Sequence, residues 1–128
     1  IDLPIGRDRV ARQRMTTRAR RARTAVTRIV KAEPLEGLTL VHVAIATGRT
    51  HQIRVHLAAI GHAVVGDAVY GGTRRRLTPQ HRAVAQLTRP FLHASRLAFT
   101  HPRDARRVEF HAPMPDDLER VLETLRRR

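Results

Sequence analysis

Apolar and polar positions recur along this chain with two different periods, and the periods mark out its elements. TAVTRIV, from Thr24, is rich in β-branched residues, and LTLVHVAIA follows a break at Glu33-Pro34-Leu35-Glu36-Gly37. In the second run Val41, Val43 and Ile45 alternate with Leu40, His42 and Ala44, the period of two expected of a strand. The intervening proline and glycine predict an antiparallel hairpin. His42 lies on the face opposite Val41 and Val43 and reads as a surface or structural histidine. A second hairpin is predicted further on. Leu97 and Phe99 alternate with Arg96 and Ala98, and Val108 and Phe110 with Arg107 and Glu109, across a turn at His101-Pro102-Arg103-Asp104. Val64-Val65 suits a short strand, with Gly66-Asp67 as a turn that aims Tyr70 back toward the body.

Helical spacing appears twice. Ile53, Leu57 and Ile60 fall at i, i+4 and i+7, after turn chemistry at Thr47-Gly48 and a candidate N-cap at Thr50. Gly61 is placed to end that helix in the left-handed conformation. Leu118, Val121, Leu122 and Leu125 make a C-terminal amphipathic helix. Asp116 is its candidate cap, Asp117 sits in the acidic first turn, and Arg126 to Arg128 face the negative dipole end. Residues 74–89 read as a loop with some helix in HRAVAQL. The expectation is an α+β fold: one domain over residues 1–128, with a mixed, mainly antiparallel sheet, a central helix and a C-terminal helix.

Charge changes the picture of the central helix. Arg49, His51, Gln52, Arg54 and His56 crowd a segment whose apolar stripe is half-buried, and Arg54 directly follows Ile53 at the margin of that stripe. A cation there either is solvated on a surface helix or needs an anionic partner or ligand. The whole chain carries 25 basic and 11 acidic residues, a formal net charge of +14, and all but one of the cations are arginine. Such a balance points to a polyanionic partner. Residues 7–28 hold nine arginines and the single acid Asp8. Their first part, residues 7–23, lacks an apolar period and reads as a flexible basic segment suited to lie on phosphates, which arginine pairs bidentately.

The chemical inventory excludes more than it offers. His51, His56 and His62 are spaced so that they cannot converge on one helix face, and no metal site is expected. There is no P-loop, no nucleophile–histidine–acid arrangement and no pair of carboxylates in an acid–base context. Asp67 is the one acid near the central helix and reads as a turn aspartate capping backbone N–H groups rather than a nucleophile. Zero cysteines excludes disulfides and thiolate metal sites. No apolar run reaches about 18 residues, so no transmembrane helix is expected. Only Tyr70, Phe91, Phe99 and Phe110 are aromatic, few for a module that stacks bases on aromatic platforms.

The segment TGRTHQIRVHLAAIGHAVVGDAVYGG resembles the third conserved motif of the large-subunit-type RNA pseudouridine synthases. FLHASRLAFTHP is similar to the family's L-H-A-x-x-L-x-F-x-H-P stretch, and VEFHAPMPDDLERVLETL resembles its closing strand and helix. The opening IDLPIGRD also resembles a stretch upstream of this motif. The similarity is weakest over residues 74–88. Ala63 and Ala68 stand where family members usually have proline.

The resemblance implies part of the pseudouridine synthase fold and isomerisation of uridine in ribosomal or transfer RNA without metal or organic cofactor. The family's nucleophilic aspartate sits in a His-Arg-Leu-Asp segment that does not occur in these 128 residues. The chain therefore reads as a fragment, inactive alone, from a cytoplasmic and monomeric enzyme. Arg54 would pair with that aspartate, keeping it ionised. Ile53 would wall the uridine pocket, or simply be core. Arg49, His51 and Gln52 are assigned to RNA contact, with Arg12, Arg14, Arg18, Arg20, Arg21 and Arg74, Arg75, Arg76. The rival readings are a non-catalytic basic RNA-binding module that retains part of this fold and a structural protein of a ribonucleoprotein.

Overall fold

The computed structural model describes residues 1–73 and 82–126. Their order is β1 (Gly6–Arg7), β2 (Met15–Thr16), β3 (Thr27–Pro34), β4 (Thr39–Ile45), α1 (Gln52–Ala59), α2 (Arg82–Ala85), β5 (Arg96–Thr100), β6 (Arg107–His111) and α3 (Asp116–Arg126). The fold is α+β. In place of a mixed sheet, the described strands form three separate two-stranded antiparallel hairpins.

Both predicted hairpins form. β3 pairs with β4 from Thr27↔Ile45 to Pro34↔Thr39, with a bulge between Ile29 and Lys31. Gly37 takes a positive φ of 69°, and the Leu35 N–H donates to the Leu38 carbonyl, closing the turn that Pro34 begins. β5 pairs with β6 from Arg96↔His111 to Thr100↔Arg107. Residues 7–23, expected as a flexible basic segment, have a defined path. β1 and β2 pair through Gly6↔Thr16 and Arg7↔Met15, and an isolated bridge joins Ile5 to Arg23. The Asp8 carboxylate turns this segment by accepting the N–H groups of Val10 and Ala11.

Two small apolar clusters hold the elements. Ile5, Ala25, Val55 and Tyr70 are packed together, with Met15 and Ala58 against them. Leu118, Val121 and Leu122 are the buried face of α3, as their spacing predicted, and α3 packs on α2, whose Val84 is buried. The first helical bond of α3 runs from Glu119 N–H to the Pro115 carbonyl, so Asp116 lies just inside the helix rather than capping it. Arg89 forks Asp117 near the start of α3, and Arg126 forks Glu33 at its end, tying the helix to β3.

The central helix departs from its apolar stripe. Gln52, Val55, His56 and Leu57 are the buried residues of α1, whereas Ile53 is half-buried and Ile60 is exposed. Polar residues take the inward face because their hydrogen bonds are met there. Thr50 does not cap the helix. The cap position is His51, held left-handed at φ 55°, ψ 23°. Gly61 does end the helix, at φ 84°, with its N–H on the Ala58 carbonyl and the His62 N–H on the Leu57 carbonyl.

Val64-Val65 form no strand. They enter a tight loop in which Asp67 N–H bonds the Val64 carbonyl and Gly72 N–H bonds the Asp67 carbonyl. Gly72 packs so closely that a Cβ there would lie 1.7 Å from the Val64 oxygen.

Candidate active site

The loop after α1 brings an ion pair against the helix. The Arg54 Nε donates to Asp67 Oδ2 at 2.7 Å and its Nη2 to Oδ1 at 2.9 Å, a two-point fork. Asp67 is fully buried, and the Arg54 side chain retains 17% of its exposure. The Asp67 Oδ1 also accepts the N–H groups of Val69 and Tyr70. Burial by itself would raise this carboxyl. The Arg54 guanidinium and the two backbone donors outweigh it and hold Asp67 below its ordinary value.

Tyr70 sits beneath this pair. Its ring centroid lies 5.1 Å from the Arg54 Cζ and 5.2 Å from the Arg14 Cζ, so one aromatic ring meets cations from two segments. The phenol oxygen accepts the Met15 N–H and shares a second hydrogen bond, 2.8 Å long, with His51 Nδ1. Burial, then the nearby Arg54 charge, push the His51 ring below its ordinary pKa.

A second polar chain seats the helix. The Gln52 Oε1 accepts the Thr47 hydroxyl and the Arg49 N–H, and its Nε2 donates to the Val26 carbonyl and Thr27 Oγ1. The Leu3 carbonyl can only accept, so His56 carries its proton on Nε2, leaving Nδ1 to take the Thr27 hydroxyl hydrogen. Among the described residues no buried side-chain donor or acceptor is left without a partner.

The predicted site residues therefore divide. Arg54 lies at the margin of the core with the anionic partner its position demanded. Ile53 lies outside the apolar cluster. Gln52, expected to contact RNA, is instead only 3% exposed and has both amide atoms engaged, so its role is to fasten the 47–49 turn to β3. Arg49 donates to the Thr24 carbonyl, and His51 is half-buried beside Tyr70. Arg12 and Arg14, within the β1–β2 hairpin, and Arg18, Arg20 and Arg21, just after it, are exposed. Arg74, Arg75 and Arg76 lie outside the described residues. Among the described residues no His, Cys, Asp and Glu side chains cluster in a way that could hold a metal.

Reading the sequence missed the Arg54–Asp67 pair, though a signal for it was present. Asp67 is the one acid between Glu36 and Asp104, so a half-buried cation on α1 had few acids within reach. Asp67 does cap its own loop as expected, with one oxygen. Both oxygens meet the Arg54 fork.

No family model matches the chain. Individual relatives do. It is 42% identical over 127 residues to an uncharacterized RNA pseudouridine synthase, YlyB, of Bacillus subtilis, matching 99% of this chain and 39% of that protein. It is 41% identical over 131 residues to ribosomal large subunit pseudouridine synthase D of Vibrio vulnificus, covering 99% of this chain and 40% of that one. Its structure matches human RNA pseudouridylate synthase domain containing 1 with a TM-score of 0.64 and 27% identity, over 98% of this chain and 58% of that one. The α+β fold is thus that of a pseudouridylate synthase domain. The chain belongs to the RNA pseudouridine synthase family, and it spans about two fifths of the length of the curated relatives it matches.

Proposed function

We propose that this chain is the portion of an RNA pseudouridine synthase that presents Arg54 to a catalytic aspartate carried by a segment outside these 128 residues. The observation that carries the reading is the Arg54 guanidinium itself. It is fixed at the edge of the core, and its Nη1 has no partner among the described residues. A cation there would keep a partly buried carboxylate ionised, as a nucleophile or base must be. The target uridine would be flipped into a pocket completed by that segment, as enzymes acting on a base in structured nucleic acid require, with Ile53 on its apolar wall. No metal or organic cofactor enters this scheme. The substrate is ribosomal or transfer RNA in the cytoplasm, bound by a monomer. The exposed arginines of the β1–β2 hairpin supply phosphate contacts.

The chain alone should lack activity, since Asp67 is buried and occupied by Arg54. The test has two parts. The 128-residue chain is incubated with uridine-containing ribosomal RNA, and so is a chimera in which it replaces the matching stretch of the Bacillus subtilis relative. Pseudouridine is then mapped. The expected result is none from the chain and multiple turnovers from the chimera. Turnover by the chain itself would place the nucleophile within it. A folded, RNA-binding but inactive chimera would favour the basic RNA-binding module.

A further inference from the structure

Arg54 has more donors than its ion pair uses. Nε and one hydrogen of Nη2 are committed to Asp67, and Nη1 has no partner among the described residues. The direction of that remaining edge depends on how firmly the opposite edge is held. Asp67 is suited to hold it. The carboxylate is completely buried, and its Oδ1 is pinned by the N–H groups of Val69 and Tyr70. Its loop is closed by the Gly72 N–H on the Asp67 carbonyl and tied to the following segment by the Phe91 N–H on the Val65 carbonyl. The Tyr70 ring lies against the guanidinium, and its hydroxyl is itself tied to Met15 and His51. Two hydrogen bonds and an aromatic contact leave the guanidinium plane little freedom.

We propose that Asp67 is a positioning residue. It orients Arg54 so that the free edge of the guanidinium meets a carboxylate without first having to be ordered. The proposal rests on the functional reading above. Its chemical content is that a lone arginine at this margin would sample many rotamers, whereas one forked from behind has its direction set before the partner arrives. A misdirected group near reacting atoms can cost about a hundredfold in rate. Asp67 touches neither RNA nor reacting atoms in this account. It acts through Arg54.

Two measurements test this. In the 128-residue chain, the Arg54 Nε–H is followed by nitrogen-15 NMR in the parent, Asp67→Asn and Asp67→Glu. The asparagine carbonyl can still accept from Val69 and Tyr70, so the loop can persist while the charge on the fork is lost. The expected result is a protected Nε–H in the parent that exchanges with water like the other arginines in Asp67→Asn and is partly restored in Asp67→Glu. Protection unchanged in Asp67→Asn would overturn the proposal, and Asp67→Glu decides it should the asparagine variant not fold.

In the chimera, single-turnover rate and RNA dissociation constant are measured separately. Asp67→Asn should slow the rate about tenfold or more with affinity changed by less than about twofold. Leu122→Ala, on the buried face of α3, serves as a destabilised control and should keep the parent rate per folded molecule. A parent rate in Asp67→Asn, or a loss confined to affinity, would overturn the proposal. A parent chimera that makes no pseudouridine would instead sink the functional reading, and the NMR comparison would still decide what Asp67 does.

Discussion

Asp67 joins stability to pH more directly than any other residue here. Its folded-state pKa lies below the ordinary value of 3.8, so its contribution is complete above about pH 4 and is lost as pH falls through the depressed folded value. Asp117 and Glu109, each held at about 2 by arginine forks, titrate in the same direction but are exposed and contribute little. Denaturant unfolding between pH 6 and pH 3 should therefore show the parent weakening below about pH 4. Asp67→Asn should be less stable at pH 6 by about 3 kcal/mol and show a flatter dependence on acid. Parallel curves for the two proteins would mean that the pair carries no linkage. Much of this residue's surroundings was legible in the sequence: a turn aspartate after glycine, and a cation at the edge of a stripe. That the two residues meet was not, because the contact depends on how the 66–72 loop folds back onto α1.

At the scale of elements, period and turn chemistry located both long hairpins and the C-terminal helix. They did not locate the buried face of α1. Gln52 and His56 look like surface residues by hydrophobicity. They are buried because Thr27, Val26 and Leu3 meet their hydrogen bonds, a long-range arrangement that no local pattern reports. The basic hairpin was missed for the same reason. Its path depends on contacts with Tyr70 and the chain start as well as on its own Asp8 turn. His56→Ala should leave the Leu3 carbonyl and Thr27 hydroxyl short of partners and open a cavity, lowering stability by about 2–4 kcal/mol. Gly72→Ala should be at least as damaging, since a Cβ 1.7 Å from the Val64 oxygen must move backbone. Thermal melting checks both. A Gly72→Ala protein that melts with the parent would show that the loop has room the structure does not.

For the whole molecule the governing quantity is charge. A formal +14, with arginines exposed in and just after the β1–β2 hairpin, would make the proposed binding to RNA largely a matter of counterion release. With about five phosphates contacted, at about −0.7 each, the log–log salt slope should lie near −3.5 for single strands. Replacing Arg12, Arg14, Arg18, Arg20 and Arg21 together by alanine should flatten that slope and weaken binding with little regard to sequence. An unchanged slope would make these arginines a solubilising surface. The exposed Leu97 and Phe110 on β5–β6, and Val30 on β3, leave apolar surface that the described residues do not cover.

In the proposed reaction Arg54 serves the chemical step whereas the neighbouring Arg49 does not. Arg49 donates to a backbone carbonyl of the preceding segment, while Arg54 is aimed from within an ion pair. The direct measurement is single-turnover pseudouridine formation by the chimera at saturating enzyme, which separates chemistry from affinity. Losing a buried charge partner costs about 3–5 kcal/mol. At about 1.4 kcal/mol per tenfold, Arg54→Ala should slow the step by about two to three orders of magnitude. Arg54→Lys should recover part of the rate, and Arg49→Ala should weaken binding with the rate intact. A parent rate in Arg54→Ala would contradict the account.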